Sequence, residues 1–415
     1  MRRSFFGYTH LLLVPLLAVG LVLTGCDSNG SNGIGNGNGD GDNGSTTFEY
    51  PSDTYGAETV VNLLAFDLGV RVGNASDNSE AVLDELYTGT IDDKTVPTSG
   101  ISAQQSTYGD IAGGVDLSSL TDDAPLLRSQ ALESGDSPTP GSAVTTDQLL
   151  GFYLQQAGAN DVTTTDNGIV LSQFAEKMLL GTPIYGQGAA ILSDFADGTV
   201  SSNRAEQWDA AFGYFGFPRT LEPFLDYSDG DEGLADGNVA RDVDGNGSVD
   251  LTSEYVYTWA SYAIERAATA ENNGQPNDFA RNAFEALVQG REAIENGEDP
   301  SGQAQTALEA WEATVAVNVI HYINSMESNL EDVSGQLEQG DVGADAWGEA
   351  KAFTWNLQFY SDNLDDSQLN TIHDAIGNDP PYGELTADEY ASDLQEATDI
   401  LANAYGFDAS NVANW

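Results

Sequence analysis

Apolar residues recur every three or four positions from Phe48 onward, which is the spacing of one face of an α-helix. Alternation of apolar and polar residues, which would predict strands, is rare in the same region. The pattern predicts helices over residues 60–68, 147–157, 171–195, 205–215, 253–270, 278–296, 301–330, 344–362, 366–376 and 387–405. Because such helices bury their apolar faces against one another, we expect an all-α domain over residues 48–415, built from two packed helical bundles.

The ends of these predicted helices carry residues that suit them. Side chains that accept backbone N–H groups precede several helices, and glycines follow several others. These residues are Asp299, Asp365 and Thr386 at the starts, and Gly297, Gly377 and Gly406 at the ends. Within 171–195, Pro183 predicts a kink because it has no N–H to donate. Residues 88–145 have weak periodicity and predict an irregular segment.

The first 47 residues have a different character. Arg2 and Arg3 precede an apolar run at 11–23, which is typical of a secretory signal and short for a membrane span. The following Leu-Thr-Gly-Cys resembles the bacterial lipobox, and the resemblance implies a signal peptide at 1–25 and a lipid on Cys26. Residues 26–47 then predict a flexible Gly/Asn/Asp tether. We therefore expect membrane attachment through Cys26, at the outer membrane or cell surface, facing the periplasm or the exterior.

Charge narrows the possible partners. The chain has 13 Lys and Arg residues against 66 Asp and Glu residues, for a net charge of -53. This charge excludes nucleic acid and anionic lipid headgroups as partners, since both need basic clusters. The acids are spread along the chain, whereas a calcium-buffering or disordered acidic tract would concentrate them. With only three lysines, Lys94, Lys177 and Lys351, the composition indicates adaptation to molar salt. Since Cys26 is the only cysteine, an intramolecular disulfide is also excluded.

A run at 242–254 has the spacing of a calcium-binding loop. Oxygen-bearing side chains stand at its first, third, fifth and ninth positions, with glycine at the sixth. These side chains belong to Asp242, Asp244, Asn246 and Asp250. The closing acid, Glu254, falls one residue late, and no helix clearly enters the run. The pattern therefore predicts a calcium loop without a full EF-hand, and the alternative is a plain acidic turn in an acidic protein.

A polar stripe lies on the predicted helix at 301–330. Asn318, His321 and Asn324 are three residues apart on a helix that is otherwise apolar around them. The stripe is a candidate site for a metal or small ligand, and the alternative is a set of hydrogen-bonded core residues. The other histidine of the expected mature chain, His373, is expected at the surface. No GxSxG, HExxH or phosphate-binding loop is present.

Several phrases together resemble a family of uncharacterised bacterial lipoproteins described mostly from Bacteroidetes. They are WDAAFGYFG from Trp208, DVDGNGSVDLTSEY from Asp242, HYIN from His321 and WGEAKAF from Trp347. More remotely, the His321 helix resembles that of the imelysin-like proteins, all-helical two-bundle envelope lipoproteins linked with iron acquisition and historically called peptidases. Their pattern is His-x-x-Glu, and here Asn324 replaces the glutamate. This removes an anionic ligand and a general base from that position.

Together these observations favour a cell-envelope lipoprotein that binds a metal or a small ligand without catalysis. Calcium is the cofactor expected at 242–254, and iron or another divalent metal is the candidate ligand of the polar stripe. A protein partner in the envelope is compatible with this interpretation. The alternative is a metal-dependent hydrolase of the imelysin-like peptidase kind that uses His321 together with acids from other helices.

The charge imbalance predicts that potassium chloride stabilises the fold. Screening at molar salt shortens the reach of each charge to about 3 Å, which relieves the repulsion among the acids. We expect the melting temperature, followed by circular dichroism, to rise between dilute buffer and several molar KCl. A melting temperature that is indifferent to KCl would contradict the halophilic interpretation.

Overall fold

Helices make up most of the described chain, which confirms the predicted all-α class. The computed structural model describes residues 46–415 apart from 75–78, 90, 99, 122–144, 161–162, 166–167 and 226–238. The predicted signal peptide, the predicted tether up to residue 45 and Cys26 therefore lie outside the described residues. The α-helices are α1 (Gly56–Gly73), α2 (Glu80–Thr88), α3 (Thr146–Asn160), α4 (Leu171–Leu179), α5 (Gln187–Ala196), α6 (Arg204–Phe215), α7 (Glu222–Leu225), α8 (Thr258–Asn272), α9 (Phe279–Glu295), α10 (Ser301–Leu330), α11 (Ala344–Leu357), α12 (Asp366–Ile376), α13 (Ala387–Tyr405) and α14 (Ala409–Val412).

Helix α10 is the element around which the others pack. It contacts α5, α8, α9, α11 and α13, and it runs without a break from Ser301 to Leu330. The described residues form one compact unit in which these helices share a continuous apolar core. The side chains of α10 are buried on several sides because neighbours surround it, so its pattern lacks a wide polar face.

Three of the helices begin and end where the sequence pattern predicts. Helices α10, α12 and α13 have the predicted bounds, and Asp365 and Thr386 each form a capping box with the residue three positions later. The helix predicted at 253–270 instead begins at Thr258, because Tyr255–Val256 forms a short strand, β2, that pairs antiparallel with β1, Val239–Ala240. Helix α2 was not predicted from the sequence pattern.

The kink predicted at Pro183 is a π-helical turn at Gly181–Gly186 between α4 and α5. Proline cannot donate to the helix ladder, and the ladder adapts with a bond from Tyr185 N to Leu180 O. Side chains from other helices serve nearby carbonyls: Asn356 Nδ2 donates to Lys177 O at 2.9 Å, and Trp259 Nε1 donates to Leu180 O at 2.9 Å. The irregular turn is therefore fixed by tertiary hydrogen bonds.

Buried tryptophans join helices by packing and by hydrogen bonds. Trp208 donates to Leu287 O at 2.7 Å and Trp347 donates to Ile376 O at 3.0 Å, and both rings are fully buried. A Cβ at Gly290 would lie 2.0 Å from the Trp208 ring, so only glycine permits this approach of α6 to α9. Such rings bury large apolar areas and still satisfy their indole N–H groups.

One buried carboxylate holds a loop against α10. Glu312 is fully buried and accepts hydrogen bonds from Ser361 Oγ at 2.6 Å, Tyr405 Oη at 2.8 Å and Asn363 N at 3.2 Å. These donors belong to the connection between α11 and α12 and to the end of α13. Hydrogen bonds of this kind offset the cost of burying a charge.

A second buried cluster joins α4 to α11. Lys177 Nζ lies 3.0 Å from Glu176 Oε1 and 3.6 Å from Glu349 Oε1, and all three residues are buried. Burial raises the pKa of Glu349 to about 7, although the Lys177 charge and a hydrogen bond from Tyr322 oppose the shift. Burial alone would lower the pKa of Lys177, but the carboxylates of Glu176 and Glu349 outweigh it, and Lys177 stays protonated. The cluster therefore has one more carboxylate than base.

This cluster predicts a pH dependence of stability that Glu349→Gln removes. The folded pKa of Glu349 is about 7, above the unfolded value of 4.5, so the folded state binds the proton more tightly. Stability from this group is complete below pH 4.5 and is lost as pH rises to 7. We expect the free energy of unfolding to fall across this window by about 2–3 kcal/mol more in the wild type than in Glu349→Gln.

The measurement is chemical denaturation at constant salt, with Glu309→Gln as control. Glu309 is an exposed glutamate on α10, so this variant removes the same charge without touching the buried cluster. It should keep the wild-type pH profile. Parallel profiles for the wild type and Glu349→Gln would show that Glu349 does not hold a proton in the folded state.

Candidate metal-binding loop and polar stripe

The loop at 242–254 is anchored at both ends and on one side. Strands β1 and β2 close its base, where Arg241 N donates to Glu254 O at 3.2 Å. On its far side, Val249 N donates to Ser102 O and Gln104 N donates to Val249 O, both at 2.8 Å. The loop therefore lies between the start of α8 and the irregular segment at 100–121. The contact of the loop with Ser102 and Gln104 could not be predicted from the sequence, because these residues are far from the loop along the chain.

Inside the loop, the acidic side chains turn inward onto backbone N–H groups. Asp242 accepts from Asn246 N at 3.0 Å and Gly247 N at 2.8 Å. Asp244 accepts from Asn246 N at 2.9 Å, and Asn246 Oδ1 accepts from Ser248 N at 3.0 Å. Gly247 has a φ of 94°, which an L-residue rarely adopts. The predicted tight turn is present, and it directs alternate side chains towards one point.

Glu254 completes this group despite its late position in the run. It is 6% exposed, and its Oε1 accepts from Val243 N and Asp244 N, both at 2.9 Å, while its Oε2 accepts from Asp250 N at 2.9 Å. Carboxylate oxygens of Asp242, Asp244 and Glu254 lie within 4.8 Å of one another. Three carboxylates this close repel one another unless a cation or proton joins them.

Asp250, in contrast, lies outside that group of three. Its Oδ1 accepts from Gln105 Nε2 at 2.8 Å and from Thr252 Oγ1 at 2.7 Å. Burial alone would raise the pKa of Asp250, but hydrogen bonds from Thr252, Gln105 and Ser253 outweigh it and hold the pKa below its ordinary value. Asp250 is thus not one of the three acids that converge, and its Oδ1 fixes the loop on Gln105, so its role as a ligand stays a prediction.

Two residues of the polar stripe on α10 are hydrogen-bonded to α8 and to the last residues of the chain. Asn318 is fully buried, donates to Thr314 O at 2.8 Å and accepts from Arg266 Nε at 3.0 Å. Asn324 Nδ2 donates to Val412 O at 2.7 Å and to Trp415 O at 3.1 Å. The stripe therefore docks Trp415 and α14 onto α10. These contacts favour the alternative interpretation, in which its residues are structural.

His321 lies in the same surroundings. Burial and then the charge of Arg266 lower its pKa to about 4, although the backbone of Trp415 opposes the shift, so the imidazole is neutral near pH 7. Its ring packs edge-to-face against the ring of Tyr322, and the two ring centres are 4.8 Å apart. Among the residues that the structure describes, it belongs to no group of three His, Cys, Asp or Glu side chains close enough to share a metal ion.

His373 is fully buried, so the expectation of a surface position was wrong. His373 lies on the face of α12 that packs against α11, and the centre of its ring lies 6.0 Å from the centre of the Trp355 ring. The polar residues around it in NTIHDAIG suggested exposure, but the helical spacing of Leu369, Ile372 and Ile376 was the better guide.

Sequence reasoning also missed the buried Glu176, Lys177 and Glu349. One signal could have found them. In a chain with three lysines, a lysine inside the apolar pattern of a helix is a candidate for a buried ion pair. Its partner Glu349 could not have been assigned, because it comes from another helix far along the chain.

Comparison with protein-family models, with curated proteins and with solved structures gave no match for this chain. The resemblance to envelope lipoproteins and to imelysin-like proteins therefore stays a prediction. Within the part of the chain that the structure describes, no helix is both long enough and apolar enough to cross a membrane.

Proposed function

We propose that this chain is a halophile-adapted lipoprotein of the cell envelope that binds a metal or small ligand without catalysis, and that a calcium ion holds its 242–254 loop in place. The observation that carries the calcium proposal is the position of Glu254. A buried carboxylate beneath two exposed aspartates, with oxygens within 4.8 Å, supplies the hard oxygen donors that calcium prefers.

The role of this ion is structural. The loop joins the β1–β2 hairpin to the segment around Gln105, and Tyr257 at the start of α8 donates to Leu251 O at 2.8 Å. A cation among Asp242, Asp244 and Glu254 would replace their repulsion by attraction and stiffen this junction. Because calcium tolerates irregular oxygen shells, the displaced closing acid is compatible with binding.

The alternative, a metal-dependent hydrolase at His321, has less support. Such a site needs about three protein ligands and a base. His321 has a neutral, half-buried ring beside the positive Arg266, and Asn324 is bonded to backbone carbonyls. Because the positive charge of Arg266 repels a metal cation, it would weaken the binding of iron or another divalent metal at His321.

Calcium should stabilise the wild type and fail to stabilise Asp244→Ala. A ligand that binds only the folded state adds about 2.7 kcal/mol at a free concentration one hundred times its dissociation constant. Magnesium should substitute poorly because it demands a tighter octahedral shell. The measurement is denaturant unfolding at constant molar KCl, so that general screening is the same in every sample.

Asp84→Ala is the matched control for this experiment. Asp84 is an exposed aspartate on α2 and has no place in the loop, so the variant should keep the full calcium increment. Equal increments in wild type and Asp244→Ala would assign the effect to the general acidity of the surface and refute the loop site.

Lipid attachment predicts that Cys26→Ser releases the protein from the membrane. The lipid chains expected on Cys26 supply the membrane affinity, and the acidic surface supplies none. We expect the wild type in the membrane fraction and Cys26→Ser in the soluble fraction after high-salt washing, detected by immunoblot. Recovery of the variant in the washed membrane pellet would contradict the lipoprotein proposal.

A further inference from the structure

Asparagine followed by glycine occurs at three places among the residues that the structure describes. The three asparagines are Asn246, Asn273 and Asn296. In such a pair the glycine nitrogen can attack the side-chain carbonyl carbon of the asparagine, and ammonia is lost. Glycine favours this attack because it has no Cβ to shield its nitrogen and leaves the backbone free to turn. The surroundings of each pair therefore decide whether it reacts.

Two of the three pairs are held at helix ends. Asn273 caps α8 and Asn296 caps α9, with helical backbone angles whose ψ values are -3° and -4°. The glycine after each asparagine donates its N–H to a carbonyl of the last helical turn, at 2.9 Å from Gly274 and 3.1 Å from Gly297. Attack on the asparagine side chain would break that hydrogen bond and unwind the helix end. Both pairs are therefore protected.

The third pair lies in the 242–254 loop, where the asparagine side chain folds back over the next peptide bond. Asn246 is exposed, and its Oδ1 accepts from Ser248 N at 3.0 Å. A side chain that reaches the N–H two residues on lies close to the peptide nitrogen between them, which belongs to Gly247. A Cβ added at Gly247 would meet nothing within 4 Å, so a ring has space to form there.

The hydrogen bonds of the loop also polarise the groups that would react. Oδ1 of Asn246 accepts from Ser248 Oγ at 2.7 Å as well as from Ser248 N, and two donors stabilise the negative charge that attack places on this oxygen. Asp242 Oδ2 accepts from Gly247 N at 2.8 Å, which adds electron density to the attacking nitrogen. Asp244 Oδ2 accepts from Asn246 Nδ2 at 2.7 Å and orients the amide.

We propose that Asn246 is a site of spontaneous deamidation and that a calcium ion in the 242–254 loop slows the reaction. A bond forms between Gly247 N and Asn246 Cγ, the bond from Cγ to Nδ2 breaks, and ammonia leaves with the hydrogen that Gly247 N gives up. Water then opens the ring at either of its two carbonyls. The product is aspartate or isoaspartate at position 246. The part of this inference that concerns calcium rests on the proposed function.

The ion and the reaction compete for the same side chain. Asn246 holds the fifth position of the loop, where calcium loops supply an oxygen ligand. Ring closure draws this oxygen away from the ion, so we expect only the ion-free loop to react. The products alter the site in turn. Aspartate adds a carboxylate to those of Asp242, Asp244 and Glu254, whereas isoaspartate lengthens the backbone and displaces the ligands that follow.

The test follows the three asparagines in one protein, so that two of them serve as internal controls. The full chain is incubated in about 1 M KCl, with calcium or with a chelator, and digested peptides are analysed by mass spectrometry. Without calcium, Asn246 should react at least about tenfold faster than Asn273 and Asn296. Calcium at about ten times its dissociation constant should slow Asn246 about tenfold and leave the other two unchanged.

Two variants test the geometry of the loop. Ser248→Ala removes one donor to Oδ1, and Asp242→Asn removes the carboxylate that accepts from Gly247 N. Each should slow the reaction of Asn246 without calcium by at least about tenfold. Asp84→Asn, which changes an exposed aspartate on α2, should react as the wild type does. Unchanged rates in both loop variants, or equal rates at the three asparagines, would overturn the proposal.

The calcium increment in unfolding free energy is measured on the same samples. If calcium stabilises the fold but Asn246 reacts no faster than Asn273 and Asn296, the deamidation site is wrong and the calcium loop stands. If calcium stabilises the fold without slowing Asn246, the coupling between ion and reaction is wrong. If calcium does neither while Asn246 reacts fast, the calcium loop fails and the deamidation site stands.

Discussion

Repulsion among acidic side chains is the constraint that this fold has to satisfy. Each exposed carboxylate adds to a net charge of -53, and 13 basic residues are too few to pair with them. Of the three lysines, Lys177 and Lys351 are buried, and only Lys94 lies at the surface, paired with Glu85 at 2.7 Å. Among the described residues, lysine therefore contributes a single positive charge to the surface. Cohesion comes from the apolar core around α10, and salt screening decides how much repulsion that core must overcome.

The few basic side chains are placed where they join separate segments. Arg291 bonds Asp209 at 2.6 Å and covers the ring of Tyr50 at 4.0 Å, which ties the first described residues to α6 and α9. Lys351 Nζ donates to Gly377 O at 2.7 Å and to His373 O at 3.2 Å, and so satisfies carbonyls at the end of α12. A buried cation surrounded by such acceptors costs little, whereas one on this surface would be a single charge among many acids.

Local signals in the sequence predicted the helices well, and contacts between distant segments limited the rest. Helices α12 and α13 have the predicted bounds because a capping box at the start and a glycine at the end specify each of them. Helix α10 also has the predicted bounds, which follow from the helical spacing of its apolar residues. The helix predicted from residue 253 begins later because pairing with β1 outweighs the local pattern. The tight turn of the 242–254 loop was predictable from spacing, but the inward position of Glu254 and the bond between Asp250 and Gln105 depend on tertiary packing.

The spacing of its carboxylates distinguishes the 242–254 loop from the rest of this acidic surface. Among the described residues, Asp242, Asp244 and Glu254 form a group of acids whose oxygens lie within 4.8 Å of one another. Backbone N–H groups hold the buried Glu254 in place beside the two exposed aspartates. A cation at this point would relieve the repulsion of three carboxylates at once, whereas a cation elsewhere on the surface would meet separate acids that salt already screens.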